Sequence, residues 1–175
     1  MKAMENPAVN MAFIIDELKN QIHTALKNMQ YSFIIYSPPK DALDEKHFHE
    51  RFVLSLISAF PGLKDKIYTE VKLGEGRADL VIHKTDKTRI PIELKVNPKY
   101  KNAGIVQTYY YASRLGVKHG FLVIFKKKNS LELSPPEYKN IHFFGITIHI
   151  FTLYYETIAF HNTKEAKQLS SPFTS

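Results

Sequence analysis

Between Lys66 and Val96 three strand-like segments, IYTEVKL, RADLVI and RIPIELKV, follow one another with connections too short to hold a helix. Gly74-Glu75 is a Gly-first two-residue link and KTDKT is a polar turn, so each segment must fold back on its predecessor as an antiparallel hairpin. A three-stranded antiparallel unit is thereby set in the middle of the chain. Everything before and after it has to pack around that sheet or extend it.

The flanking segments read as follows. Asn6 can cap a helix and Pro7 suits its first position. Met11, Ile15, Leu18, Ile22, Ala25 and Met29 then draw one apolar stripe, a core face in preference to a dimer seam. An apolar run, Ser32 to Tyr36, stops at Pro38-Pro39. Asp41 or Asp44 can cap a second helix that runs to about Phe60 and ends at Pro61-Gly62. Its second half is apolar almost all round. Its first half carries His47, His49 and Glu50, and two His at i and i+2 do not share a helix face, so both are expected in solvent rather than on a metal. Residues 102–115 read as a helix ended by Gly116, GFLVIF as a strand, and Phe144, Ile146, Ile148 and Ile150 as a half-buried strand. The expected fold is a single α/β domain, with the helix over 102–115 joining two parallel strands in the right-handed sense. Residues 1–40 form an N-terminal helical extension, 41–162 the core, and 163–175 a polar tail.

Composition narrows the function classes. At 175 residues the chain has room for one core, and the absence of cysteine excludes disulfide frameworks, zinc ribbons and thiol nucleophiles. No segment is long and apolar enough to span a bilayer, and the first residues lack a signal-peptide pattern, so a soluble, cytoplasmic protein without membrane contact is expected. Lys and Arg number 24 against 17 Asp and Glu, a net charge of +7 that favours polyanionic partners. Lys84, Lys87, Arg89, Lys99, Lys101, Lys118 and Lys126 to Lys128 form a candidate polyanion track.

Hairpin geometry locates the chemistry. If the KTDKT turn centres on Asp86, Leu80 faces Ile92, Ile82 faces Ile90 and Ala78 faces Leu94, an apolar face for a core. The opposite face then pairs Asp79 with Glu93 and Arg77 with Lys95. With Gly74-Glu75 as the other turn, Glu70 lies across from Asp79. Three acids and a lysine converge, and like charges facing one another destabilise a sheet unless a cation neutralises them. Hard oxygen ligands suit Mg²⁺ or Mn²⁺. An exposed sheet face on which Arg77 and Lys95 pair the acids is the other reading of the same register.

Asp79 followed by Glu93-Leu94-Lys95 resembles the signature of the PD-(D/E)xK nuclease superfamily. Gln107-Thr-Tyr-Tyr-Tyr111 on the next helix is similar to the QxxxY motif of its RecB-like and lambda-exonuclease-like branch, and GEGRADLVI resembles the Gly-Arg-x-Asp pattern of several members. The resemblance covers roughly Phe48 to Phe125. Where that signature has Pro-Asp, this chain has Ala78-Asp79.

The resemblance implies an αβββαβ restriction-endonuclease-like core, a mixed sheet flanked by helices. It also implies a Mg²⁺-dependent deoxyribonuclease, an endonuclease in the first instance, in which Mn²⁺ substitutes. Asp79, Glu93 and the Leu94 carbonyl would bind the metal, with Glu70 and Glu50 as further ligands. Lys95 would activate water or stabilise phosphate charge, and Gln107 and Tyr111, at i and i+4 on one helix face, would approach the site. Arg77, Lys99, Lys101, Lys126, Lys127 and Lys128 would contact DNA, or RNA in its place, and a homodimer through the N-terminal helix would allow both strands to be cut. The alternative class is a catalytically inactive nucleic-acid-binding or protein-interaction module on the same fold.

Overall fold

The computed structural model of the chain describes residues 7–35, 45–127 and 134–155. Asn6, Asp41, Asp44, Lys128 and the 163–175 tail, to which the sequence assigned roles, lie outside the described residues. Among the described residues there are three α-helices and six strands: α1 (Pro7–Ile35), α2 (Glu45–Ala59), β1 (Ile67–Leu73), β2 (Gly76–His83), β3 (Arg89–Lys95), α3 (Lys101–Leu115), β4 (His119–Lys127), β5 (Glu137–Phe143) and β6 (Ile146–Tyr155). The sheet order is β1-β2-β3-β4-β6-β5. β3, β4 and β6 run parallel, and the β1-β2, β2-β3 and β5-β6 pairs are antiparallel. The result is a mixed sheet in one α/β domain, flanked by helices.

Helices cover both faces. From α2, Phe48 packs on Phe125 of β4 and Tyr155 of β6 at ring separations of 4.8 and 5.0 Å. The α1 stripe is internal: Ile15, Leu18, Ile22, Ala25 and Met29 are buried in the same core as Phe48, Phe52 and Leu56. That answers the choice between core and dimer seam for this face, because burying it within the domain leaves no seam. Gln30 strengthens the contact, its amide donating to the carbonyls of Ser134 at 2.8 Å and Tyr154 at 2.9 Å. On the other face α3 lies so close to the sheet that its glycine and β4's are needed. A Cβ on Gly104 would meet Leu122 at 2.7 Å and Lys95 Cγ at 3.1 Å, and one on Gly120 would meet Thr108 at 2.6 Å. Gly116, at φ +68, ends α3 in the left-handed region that glycine adopts most readily.

α1 extends through the apolar run after Gln30 as far as Ile35. One expectation about the strands needs correcting, and one strand was not foreseen. Phe144 does not begin a strand; with Gly145 it forms the turn of the β5-β6 hairpin, at φ +48 and +77. The polar edge strand β5, rich in exposed residues, escaped the apolar-alternation test altogether. Lys84 also leaves the candidate polyanion track. Its ammonium bonds Glu17 at 3.3 Å and Gln21 at 3.1 Å, tying the β2-β3 turn to α1.

Candidate active site

Both hairpins keep the expected register, with Leu80 opposite Ile92, Ile82 opposite Ile90, Thr69 opposite Leu80 and Val71 opposite Ala78. The ladders break at the acids. Between β1 and β2, Glu70 and Asp79 are skipped, and Glu70 holds φ +53, an uncommon conformation for a residue with a side chain. Between β2 and β3, pairing ends at Leu80 and Ile92, so Asp79 and Glu93 are not cross-strand partners as the register alone implies. Instead the Asp79 carboxylate enters the gap and accepts the Leu94 amide at 2.7 Å. The kink also turns Ala78 away from Leu80. Ala78 packs with Val81 and Tyr111 in a small second cluster, so it does not share Leu94's face as expected.

The acids divide around this gap. Glu93 and Lys95 are joined at 3.1 Å, and the Lys95 stem runs against Gly104 of α3. Glu93 is 2 % exposed, and its Oε2 is enclosed without a hydrogen bond among the described residues. Burial first, and the Asp79 charge second, push the Glu93 carboxyl up to about 7. Burial also raises Asp79, against the pull of the Leu94 amide and of His49 and Lys95.

Asp79 opens on its other side to a cleft of about 770 Å³ between α2 and the β1-β2 hairpin, whose walls include Glu45, His49, Glu50, Val53, Glu70 and Leu80. His49 Nε2 lies 3.7 Å from Asp79 Oδ2 and 3.6 Å from Glu45 Oε1. Ligand atoms of Glu45, His49 and Asp79 all fall within 4.8 Å of one another, a spacing that suits a cation. His49 therefore faces the acid across the cleft instead of standing in solvent. The missed signal was the i, i+4 spacing of Glu45 and His49, which places both on one face of α2. Glu50 is exposed at the cleft wall and pairs with Lys46 at 3.8 Å. His47 sits edge-on to Phe48, on another face of the helix.

From α3, Gln107 is half-buried with its Oε1 enclosed and unbonded among the described residues. Tyr111 is buried, its hydroxyl against Gly76, where a Cβ would meet it at 2.6 Å. Burial raises its phenol, and the Glu93 and Asp79 charges push in the same direction. Tyr111 is thus both a packing residue and a neighbour of the acids. Tyr110 is structural, its hydroxyl accepting the Glu75 amide at 3.2 Å.

A family model described as "Domain of unknown function (DUF8371)" matches residues 11–129. The chain belongs to this family. The DUF8371 match runs from α1 to the end of β4 and takes in Glu45, His49, Glu70, Asp79, Glu93, Lys95, Gln107 and Tyr111. No curated protein and no solved structure gave a match. Among the described residues no helix is long and apolar enough to cross a membrane.

Proposed function

We propose that this DUF8371 member is a divalent-metal-dependent nuclease that hydrolyses DNA phosphodiester bonds, cutting as an endonuclease. The observation that carries the reading is the Glu93 carboxyl, enclosed beside a second acid, with one oxygen on Lys95 and the other without a hydrogen bond among the described residues. A buried carboxylate in that position is costly unless a cation completes it. The likeness of Asp79, Glu93-Leu94-Lys95 and Gln107 to Tyr111 to the PD-(D/E)xK signature supports the same reading.

In this reading Asp79, Glu93 and the Leu94 carbonyl would hold Mg²⁺, or Mn²⁺ in its place, with Glu70, Glu50, Glu45 and His49 as nearby donors on the cleft wall. A divalent ion held by these residues would supply Lewis-acid chemistry, polarising a phosphoryl oxygen and acidifying a bound water. Lys95 supplies a fixed ammonium to the charge that develops on the phosphate. Gln107 presents an amide from the facing helix. Arg77, Lys99, Lys101, Lys126 and Lys127 take the flanking phosphates.

Plasmid nicking by the purified protein in Mg²⁺ or Mn²⁺ tests this, with calorimetry of Mn²⁺ binding alongside. Glu93→Gln keeps the shape and removes a ligand charge, so metal affinity and nicking should both collapse. Lys95→Ala should leave metal binding intact or tighter while nicking falls by roughly 10², the scale of removing one charged group from the transition state. Nicking at the wild-type rate by either variant would overturn the assigned site, and no metal-dependent nicking by the wild type would favour an inactive binding module.

A further inference from the structure

A second site lies one strand beyond Lys95. Ile124 of β4, the register partner of Lys95, lines a cavity of about 280 Å³ at the carboxyl ends of the parallel strands β4 and β6. Open α/β sheets bind ligands outside those strand ends. Three lysines from three elements line the cavity: Lys101 of α3, Lys126 of β4 and Lys139 of β5. The one acid among the described residues of its wall, Glu137, already accepts the Tyr154 hydroxyl at 3.0 Å. Lys126 lies over the Tyr154 ring, 5.8 Å from its centroid.

The arrangement is electrostatically one-sided. Lys101 is the first residue of α3, whose first turn holds no acid, and a helix N-terminus already disfavours cations. Contact with the Lys139 amine, more than burial, lowers the Lys101 ammonium below the ordinary lysine range. Two ammonium groups pressed together at the positive end of a helix are relieved by an anion between them.

We propose that this cavity binds a phosphate group of a nucleic-acid strand whose neighbouring nucleotides occupy the acidic cleft. The inference rests on the nuclease reading for its partner, and names Lys139 as a phosphate ligand that sequence reasoning passed over. Strands are spaced about 4.8 Å apart, so the cavity lies about 5–14 Å from Lys95. That distance matches a few steps along a strand at about 3.4 Å of rise per nucleotide.

Two probes without metal separate the possibilities: inorganic phosphate, and a short single-stranded DNA lacking terminal phosphates. Amide resonances of Lys101, Lys139 and Tyr154 should move with both, and Lys139→Glu should weaken DNA binding tenfold or more with an unchanged thermal midpoint. In Lys139→Ala the slope of log affinity against log salt should shrink by about 1, because one fewer phosphate is neutralised. Shifts with inorganic phosphate but DNA affinity untouched by Lys139→Glu would overturn the strand assignment, and no shift with either probe would overturn the site itself. If DNA binding depends on Lys139 while no variant or metal supports nicking, the cavity stands and the nuclease reading falls.

Discussion

The Asp79 carboxylate accepts the Leu94 backbone amide at 2.7 Å, at the point where β2 and β3 stop pairing. One side chain thereby replaces a ladder hydrogen bond and fixes the spacing between two strands that carry the acids. Asp79→Asn retains an oxygen for that amide and should melt close to wild type, while metal affinity and nicking disappear. Asp79→Ala leaves the buried Leu94 N–H without its acceptor, a cost of about 1–3 kcal/mol. Its midpoint should drop by several degrees. Equal midpoints for the two variants in calorimetry would mean that the bond carries no weight.

Gln107 and Tyr111 share one face of α3 but should answer differently to truncation. The enclosed Gln107 Oε1 has no partner among the described residues, so Gln107→Ala should hold or raise the thermal midpoint while nicking falls several-fold. Tyr111→Phe removes only the hydroxyl that meets Gly76 and should leave the cluster with Ala78 and Val81 packed. A large fall in midpoint for Gln107→Ala with normal nicking would mark Gln107 as a packing residue.

Gly104 tests how tightly α3 holds Lys95. Alanine there favours the helix by up to about 1 kcal/mol. Its methyl would press on both Leu122 methyl carbons and on Lys95 Cγ, and overpacking of that kind costs about 1–3 kcal/mol. Gly104→Ala should therefore change stability by no more than about 2 kcal/mol, yet lower nicking at least tenfold by displacing the ammonium. Unchanged nicking kinetics would show that Lys95 reaches its position without the close helix.

The hairpin register was legible because turn lengths and side-chain alternation are local: Leu80 opposite Ile92 and Thr69 opposite Leu80 follow from counting back from Asp86 and Gly74. The interruption was not, because a residue such as Glu70 at φ +53 obeys no alternation rule. From the register, Asp79 and Glu93 belong in a facing pair; in the folded chain the Asp79 carboxylate takes the Leu94 amide, and the two acids stay neighbours without being ladder partners. Glu45 and His49 were hidden for another reason. Their partner Asp79 is supplied by the tertiary placement of α2 across the cleft from the β1-β2 hairpin, and an i, i+4 Glu-His pair on a helix is common by itself. Lys139 sits on β5, an exposed polar strand with no alternating apolar face to announce it.

Two groups of buried residues titrate against each other. His149 is 4 % exposed on β6, bonded to Tyr138 Oη at 2.8 Å and to His119 Nδ1 at 3.0 Å. Burial, then the neighbouring His119 charge, lowers it to about 4, and burial lowers His119 in the same direction. Above the ordinary histidine range its neutral form gives full stability, which is lost as pH falls through about 4, by about 3 kcal/mol. Glu93 has the opposite sign, with Asp79 in support: protonated below about 7, it contributes stability that is present below its ordinary range and lost as pH rises through 7, again by about 3 kcal/mol. Between about pH 4.5 and 6.5 the two effects offset one another, so denaturation of the metal-free wild type should vary little with pH. Glu93→Gln removes one side of the balance, and its stability should then fall steadily on acidification through that window. His149→Gln should show the reverse slope, gaining stability as pH falls. A Glu93→Gln profile parallel to wild type in urea melts would mean that Glu93 is not held protonated by its burial, and a His149→Gln profile parallel to wild type would say the same of neutral His149.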